Sequence, residues 1–279
     1  MVTEISLEGC PIHRFTVHSP AMGRDIKAVV VVPQEYEFNP DKSYPILYTF
    51  HGMLAPHDTF SAMVPLRQAL VEKPMIVTCL DADSASMYID SPLLQIAGRD
   101  PKDTTRVKSL FTTFFLHEFI PAIDKAYRVN PAQRMLTGFS MGGFGAFHYM
   151  LAAPGQFIAV SSLSGWFESW ISLSPHIQPT IEGLLGPYAE NQVQYAAHDS
   201  TSRIKAQAAA GMKFPPLYLT CGTEDFLLKQ SRDMHALLTQ LDIAHEYHET
   251  RGAHDWPFWR DASPGIIDFH WRICSSGSL

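Results

Sequence analysis

The stretch Leu136-Thr137-Gly138-Phe139-Ser140-Met141-Gly142-Gly143-Phe144-Gly145 decides how this 279-residue chain is read. Glycines fall two residues before and two residues after Ser140, giving the pattern G-x-S-x-G. A serine that turns directly from a strand into a helix holds a strained backbone conformation. Its neighbours two places away then come too close to carry side chains. Such a turn exposes the hydroxyl, and the helix that follows presents N–H groups at its positive end. The pattern alone is weak, because Gly and Ser are common. Context strengthens it: the apolar run Arg134–Phe139 reads as a buried strand and Phe144–Leu151 as an apolar helix. The competing reading is a Gly-rich turn that packs closely or holds a phosphate. Ser140 is the candidate nucleophile.

Outward from this turn, the chain alternates between two kinds of segment. Ile12–Val17, Ile26–Val32, Pro45–Phe50, Met75–Leu80, Phe157–Leu163 and Pro216–Cys221 are apolar or alternating runs of strand length. The central ones are continuous enough to be buried on both faces of a parallel sheet. Between them, helical spacing marks Thr59–Leu70 (Met63, Leu66, Leu70), Val107–Tyr127 with an interruption at Pro121, Met141–Leu151 and Leu227–Leu241. A last helix covers Trp256–Ile273, with a break expected at Pro264-Gly265. This order predicts an α/β fold with a mostly parallel central sheet flanked by helices and antiparallel strands at the amino-terminal edge. Residues 1–274 read as one domain and residues 275–279 as a tail. The segment 166–210, rich in Ser, Pro, Gln and aromatics, reads as a small cap-like insertion over the sheet.

Composition agrees. The chain is 46% hydrophobic and 18% charged, with 21 Lys+Arg against 28 Asp+Glu, a net charge of −7. That content supports a packed core, and a chain of this length buries about three quarters of its unfolded surface without a disulfide or metal staple. The negative balance argues against nucleic acid or an anionic membrane as partner. The first ten residues, with Glu4 and Glu8, lack the basic and apolar regions of a secretory signal. A cytoplasmic location is the expectation, a secreted one being left open where a signal has been removed. Cys10, Cys79, Cys221 and Cys274 show no CxxC spacing and read as reduced thiols.

A serine hydroxyl needs a base, and the base needs an acid to orient it. On a sheet of this type the chain order is Ser, then Asp or Glu, then His. Among the later histidines, His148, His235 and His270 fall inside helices, and His176 and His198 in the insertion. His245 and His248 lie in the strand-like Ala244–Glu249. His254 follows a strand end in a Gly-bearing loop, where an open α/β sheet keeps its active site. It is the candidate base. Asp225 is the candidate acid, in the loop after Leu217–Cys221, with Glu224 beside it and Asp199 as a distant alternative. The oxyanion hole requires two backbone donors. Met141 N–H, after the nucleophile, and Met53 N–H, in the loop Phe50-His51-Gly52-Met53-Leu54, are expected, with Leu54 next. His51 reads as a residue that structures this loop.

These residues resemble the α/β-hydrolase superfamily, and more narrowly the putative-esterase (esterase D / tributyrin esterase) family. The resemblance rests on His51-Gly52-Met53, the Gly138–Gly145 turn, Gly222-Thr223-Glu224-Asp225-Phe226-Leu227 and Gly252-Ala253-His254-Asp255-Trp256-Pro257-Phe258-Trp259. It spans about Phe15 to Trp271, and Ser86-Met87-Tyr88-Ile89-Asp90 resembles a loop these esterases place at the active-site rim. It implies Ser140, Asp225 and His254 as a catalytic triad, and short-chain acyl esters as small-molecule substrates. Carbohydrate esters, S-formylglutathione-type thioesters and acyl transfer are the alternatives. S-formylglutathione hydrolases usually carry a Thr-Cys-Thr-like stretch and a His where this chain has Met53-Leu54-Ala55-Pro56 and Phe144, which counts against that substrate. A non-catalytic scaffold on the same fold is the alternative from another class.

No cofactor and no metal are expected; His245 and His248, three apart in a strand, would point to opposite faces. Phe111, Phe114, Phe115 and Phe119 read as core. Trp166, Phe167, Trp170, Tyr188 and Tyr195 could line an acyl pocket or hold the insertion in place. Leu54, Trp166 and Trp170 are the candidate substrate contacts. Oligomeric state is left open, a homo-oligomer included.

Overall fold

The computed structural model describes residues 2–5, 10–60, 64–98, 100 and 102–276, the side chains of residues 2–5 and 64–67 excepted. In chain order the strands and first helix are β1 (Val2–Ile5), β2 (Pro11–Ser19), β3 (Arg24–Val31), β4 (Tyr44–Phe50), α1 (Val64–Glu72) and β5 (Ile76–Leu80). A short ribbon follows, β6 (Gln95–Ile96) with β7 (Arg106–Val107). Next come α2 (Phe111–Thr113), a π-helical stretch over Phe114–Phe119, α3 (Ile120–Ala126), β8 (Val129–Gly138), α4 (Met141–Ala152) and β9 (Ala159–Leu163). The remainder is α5 (Gln178–Leu185), α6 (Tyr188–His198), α7 (Ser200–Ala209), β10 (Leu217–Gly222), α8 (Leu228–Gln240), β11 (His245–Thr250) and α9 (Trp256–Ser276).

Nine of the described strands form one sheet in the order β1-β2-β3-β5-β4-β8-β9-β10-β11. From β5 to β11 the pairs are parallel, and the β1–β2, β2–β3 and β3–β5 pairs are antiparallel. Every residue of β5 and of β9 is buried, the hydroxyl-bearing Thr78, Ser161 and Ser162 with their apolar neighbours. The sheet is covered on both sides, which explains why so few residues are charged. One face packs an aromatic cluster in which Phe115 stacks on Tyr149 at 4.2 Å and meets Phe50 and Tyr48 edge-on. The other face is closed by the apolar sides of α1 and α9. Burial pushes the Cys79 thiol up to about 12 and the Cys221 thiol up to about 11, so neither is reactive at neutral pH.

Several boundaries differ from expectation. Pro121 does not interrupt its helix, because it occupies the first turn of α3, directly after the π-helical stretch. A proline there forfeits an N–H that the change of helix pitch has already displaced from the regular ladder. Pro264-Gly265 likewise fails to break α9, which runs on through Ser276, so Ser275 and Ser276 are helical; residues 277–279 lie outside the described residues, as does Met63. The segment 166–210 contains three helices, α5 to α7, and α7 packs on α4. Its Phe167, Trp170 and Tyr195 are buried.

His148 and His270 are buried in this core, and His198 is half-buried beside His148. Desolvation holds His270 down to about 3 and His198 down to about 4, and burial beside Arg203 lowers His148 as well. Arg203 donates to His148 Nδ1 at 2.9 Å, so the ring's proton sits on Nε2, which donates to Thr112 Oγ1 at 2.9 Å. The unfolded chain takes up protons at these sites from about pH 6.5 downward, whereas the folded chain does not. Stability is therefore expected to fall as pH drops from about 6.5 toward 4, by up to about 1.4 kcal/mol per pH unit for each histidine. Thermal unfolding followed by circular dichroism between pH 7 and pH 5 checks this; a Tm that does not change across that range contradicts it.

Candidate active site

β4, β8, β10 and β11 all end at one edge of the sheet, and the loops leaving them carry every group of the site. Ser140 follows β8 with φ 56° and ψ −121°, a conformation that costs a non-glycine residue about 1–3 kcal/mol. The strain is held by neighbours: Ser140 N–H donates to Leu163 C=O at 3.0 Å, and Trp166 N–H donates to Ser140 C=O at 3.1 Å. A Cβ on Gly138 would stand 2.2 Å from Gly142 O, and one on Gly142 would stand 1.9 Å from Phe50 O. Both glycines are demanded by close approach of backbone to backbone.

His254 Nε2 lies 2.9 Å from Ser140 Oγ, and His254 Nδ1 lies 3.0 and 2.9 Å from the two carboxylate oxygens of Asp225. The carboxylate accepts, so the imidazole proton sits on Nδ1 and Nε2 is free to accept from the serine hydroxyl. The Asp225 side chain is fully buried and that of His254 is 14% exposed. Burial opposes ionisation of Asp225. Hydrogen bonds from His254, Ser164 and Leu227 N–H outweigh it and keep the carboxyl below its ordinary range. The two loops are tied together: Glu224 N–H donates to Gly252 C=O at 2.8 Å, and Thr223 N–H to Thr250 C=O at 2.9 Å. The neighbouring Glu224 points away, its side chain 61% exposed and facing Arg251. Asp199 is occupied elsewhere, capping α7 through Ser202 N–H and accepting from Trp170 N–H.

Opposite the serine, the Gly52–Met53 peptide plane is fixed from behind. Ala82 N–H donates to His51 Nε2 at 3.0 Å, so His51 carries its proton on Nδ1, which donates to Gly52 C=O at 2.8 Å. Ala55 N–H donates to the same carbonyl at 3.1 Å. In a trans peptide the following N–H points the opposite way, so the Met53 amide is turned from these partners. Tyr88 OH secures the loop further by donating to His51 C=O at 2.8 Å. Leu54 N–H, the second choice from the sequence, donates to Ser84 C=O at 2.8 Å instead. Met141 N–H is the first amide of α4. No hydrogen-bond acceptor among the described residues takes the N–H of Met53 or Met141.

These groups open into a cleft of about 960 Å³. Leu54 and Trp166, two of the candidate substrate contacts, line it. Trp170 does not: it is fully buried and stacks on Phe144 at 5.1 Å, so its place among the substrate contacts is corrected to core. Phe226, Trp256, Trp259 and Glu168 also line the cleft, none of them named as a substrate contact from the sequence, together with Met87 of the stretch that resembles a rim loop. Phe226 is 76% exposed with its ring 4.4 Å from that of His254; its position directly after Asp225 was the available signal. Ser164, which accepts from Trp259 Nε1 at 3.2 Å and supports Asp225, carried no sequence signal. His245 and His248 separate as expected, the first against His235 and the second stacked on Tyr218.

The sequence profile of the family described as "Putative esterase" matches residues 19–267. Esterase Rv1288 of Mycobacterium tuberculosis is 26% identical over 261 residues, covering 86% of this chain and 55% of the relative. The chain thus spans about half the length of the curated relative it matches. A solved S-formylglutathione hydrolase from Agrobacterium tumefaciens superposes with a TM-score of 0.81 at 17% identity, covering 98% of each chain. A ferulic acid esterase superposes with a TM-score of 0.75 at 23% identity, over 94% of this chain and 98% of the other. Likeness of this degree to solved structures establishes the α/β-hydrolase fold. Among the described residues, no helix is long and apolar enough to cross a membrane.

Proposed function

Because the chain belongs to the Putative esterase family, we propose that it is a serine carboxylesterase acting on short-chain acyl esters through an acyl-enzyme. The observation that carries the reading is the chain of contacts from Asp225 through His254 to Ser140, with all three links near 3 Å. Ser140 Oγ attacks the ester carbonyl as His254 Nε2 takes its proton. Asp225 holds the ring in the accepting tautomer and stabilises its charged form. The oxyanion is received by Met53 and Met141 N–H, whose peptide planes are already set, so little reorganisation is needed when charge develops. His254 then protonates the departing alkoxide. Water, deprotonated by the same ring, attacks the acyl-enzyme and releases the acid and free Ser140. Residues 1–274 act as one domain in this proposal, with 166–210 as a cap whose Trp166 forms one wall of the cleft.

The mostly apolar lining of the cleft suits an acyl group, with water as its acceptor. Nitrophenyl esters of acetate, butyrate and octanoate test this. The expected result is turnover with a preference for acetate or butyrate. A preference for octanoate, or no turnover of any of them, contradicts the proposal.

A further inference from the structure

The cleft is electrostatically one-sided. Its described lining contains two carboxylates, Glu168 and Asp255, and no Lys or Arg; its other titratable side chains are His176 and the base His254. Glu168 is half-buried and accepts from neutral donors only, the amide and hydroxyl of Ser174 and Trp166 Nε1. Asp255 accepts from Phe258 N–H at 3.1 Å at the start of α9. Among the described residues neither forms an ion pair. Both line the cleft that holds Ser140 and His254, Glu168 half-buried and Asp255 exposed at its mouth. Trp166, whose indole holds Glu168, donates its own amide to Ser140 C=O at 3.1 Å, and Asp255 follows His254 directly.

The aromatic walls add to this. Phe226 and Trp259 lie 4.4 and 5.0 Å from the His254 ring, and Trp256 lies 5.1 Å from Phe139. An aromatic face attracts a cation through its quadrupole, and more strongly where water is partly excluded. Carboxylates without counter-ions beside cleft-lining aromatic rings, of which Phe226 and Trp256 are exposed, form a setting suited to an ammonium group and hostile to a carboxylate.

On the esterase reading above, we propose that this cleft selects its esters by charge. Glu168 and Asp255, set among Trp166, Phe226, Trp256 and Trp259, favour an ester bearing an ammonium group over its neutral isostere, and disfavour one bearing a carboxylate. Two unit charges about 8 Å apart change a rate by between about twofold and thirtyfold, depending on how wet the cleft is. The net charge of −7 works in the same direction on the encounter rate. Glu168 is thus a specificity-determining residue, not only a tie within the cap.

Three thioesters of similar size test the proposal: acetylthiocholine, its carbon isostere 3,3-dimethylbutyl thioacetate, and S-acetyl-3-mercaptopropionate. The readout is thiol release, with kcat/KM compared at low and high NaCl. The cation is expected to exceed the anion by about tenfold or more at low salt, with the neutral ester between them. Glu168→Gln and added salt should each shrink that ratio severalfold, while Glu168→Asp keeps most of it. A ratio within twofold, a reversed order, or a Glu168→Gln loss equal for all three esters overturns the proposal. If none of the thioesters reacts while p-nitrophenyl acetate is hydrolysed, charge selection is overturned and the esterase reading stands. If p-nitrophenyl acetate is also inert, the esterase reading fails and the charge selection with it.

Discussion

With alanine at position 140, kcat for p-nitrophenyl acetate is expected to fall by about 10⁵-fold. The substitution removes the attacking oxygen and leaves the base, the acid and both oxyanion donors in place. KM should therefore change little. The fold should also survive. The strained turn is held by backbone hydrogen bonds to Leu163 and Trp166, and neither involves the hydroxyl. A Tm close to that of the wild type, read in the same preparation, separates loss of chemistry from loss of structure. Retention of more than about a hundredth of the wild-type kcat would mean that Ser140 is not the nucleophile.

Asn in place of Asp225 has the second largest expected effect, a fall in kcat of about 10³- to 10⁴-fold. The carboxylate accepts from His254 Nδ1, from Leu227 N–H at 2.7 Å and from Ser164. An amide presents a donor to the ring in at least one of its orientations. That donor pushes the imidazole proton to Nε2, where it can no longer accept from Ser140. Glu224→Gln is the matched control. Its carboxylate faces solvent and Arg251, so kcat should stay within about twofold. If the two substitutions cost the same, the assignment of the acid is wrong.

Much of the fold was legible because burial on both faces leaves a plain mark: β5 and β9 carry no charged residue and are interrupted only by the small Thr78, Ser161 and Ser162. The turn around Ser140 was legible for a different reason. Backbone crowding forbids a Cβ at Gly138 and Gly142, and only glycine satisfies that. His254 followed from chain order and loop position together. Asp225 was preferred to Glu224 from the sequence, and the coordinates show the physical difference between these adjacent acids: Asp225 faces His254, and Glu224 faces Arg251.

What sequence could not show arises from long-range packing. Pro121 and Pro264 read as breaks because proline lacks an N–H, yet a π-helical stretch or supporting tertiary contacts keep each helix going. Trp170 and Trp166 are four residues apart in a segment without clear periodicity. One became core because it meets Phe144, and the other became cleft wall because its amide is tied to Ser140. Glu168 carries no mark in the sequence that sets it apart from other charged residues. Only its placement between Trp166 and Ser174 puts it in the cleft.

The central claim is that acyl transfer passes through Ser140. Mixing the protein with p-nitrophenyl butyrate, quenching in acid within the first turnovers and mapping peptides by mass spectrometry measures it directly. The account predicts one butyryl group, on the peptide bearing Ser140, absent from Ser140→Ala. Steady turnover with no acyl group on Ser140, or with the acyl group on another residue, would contradict it.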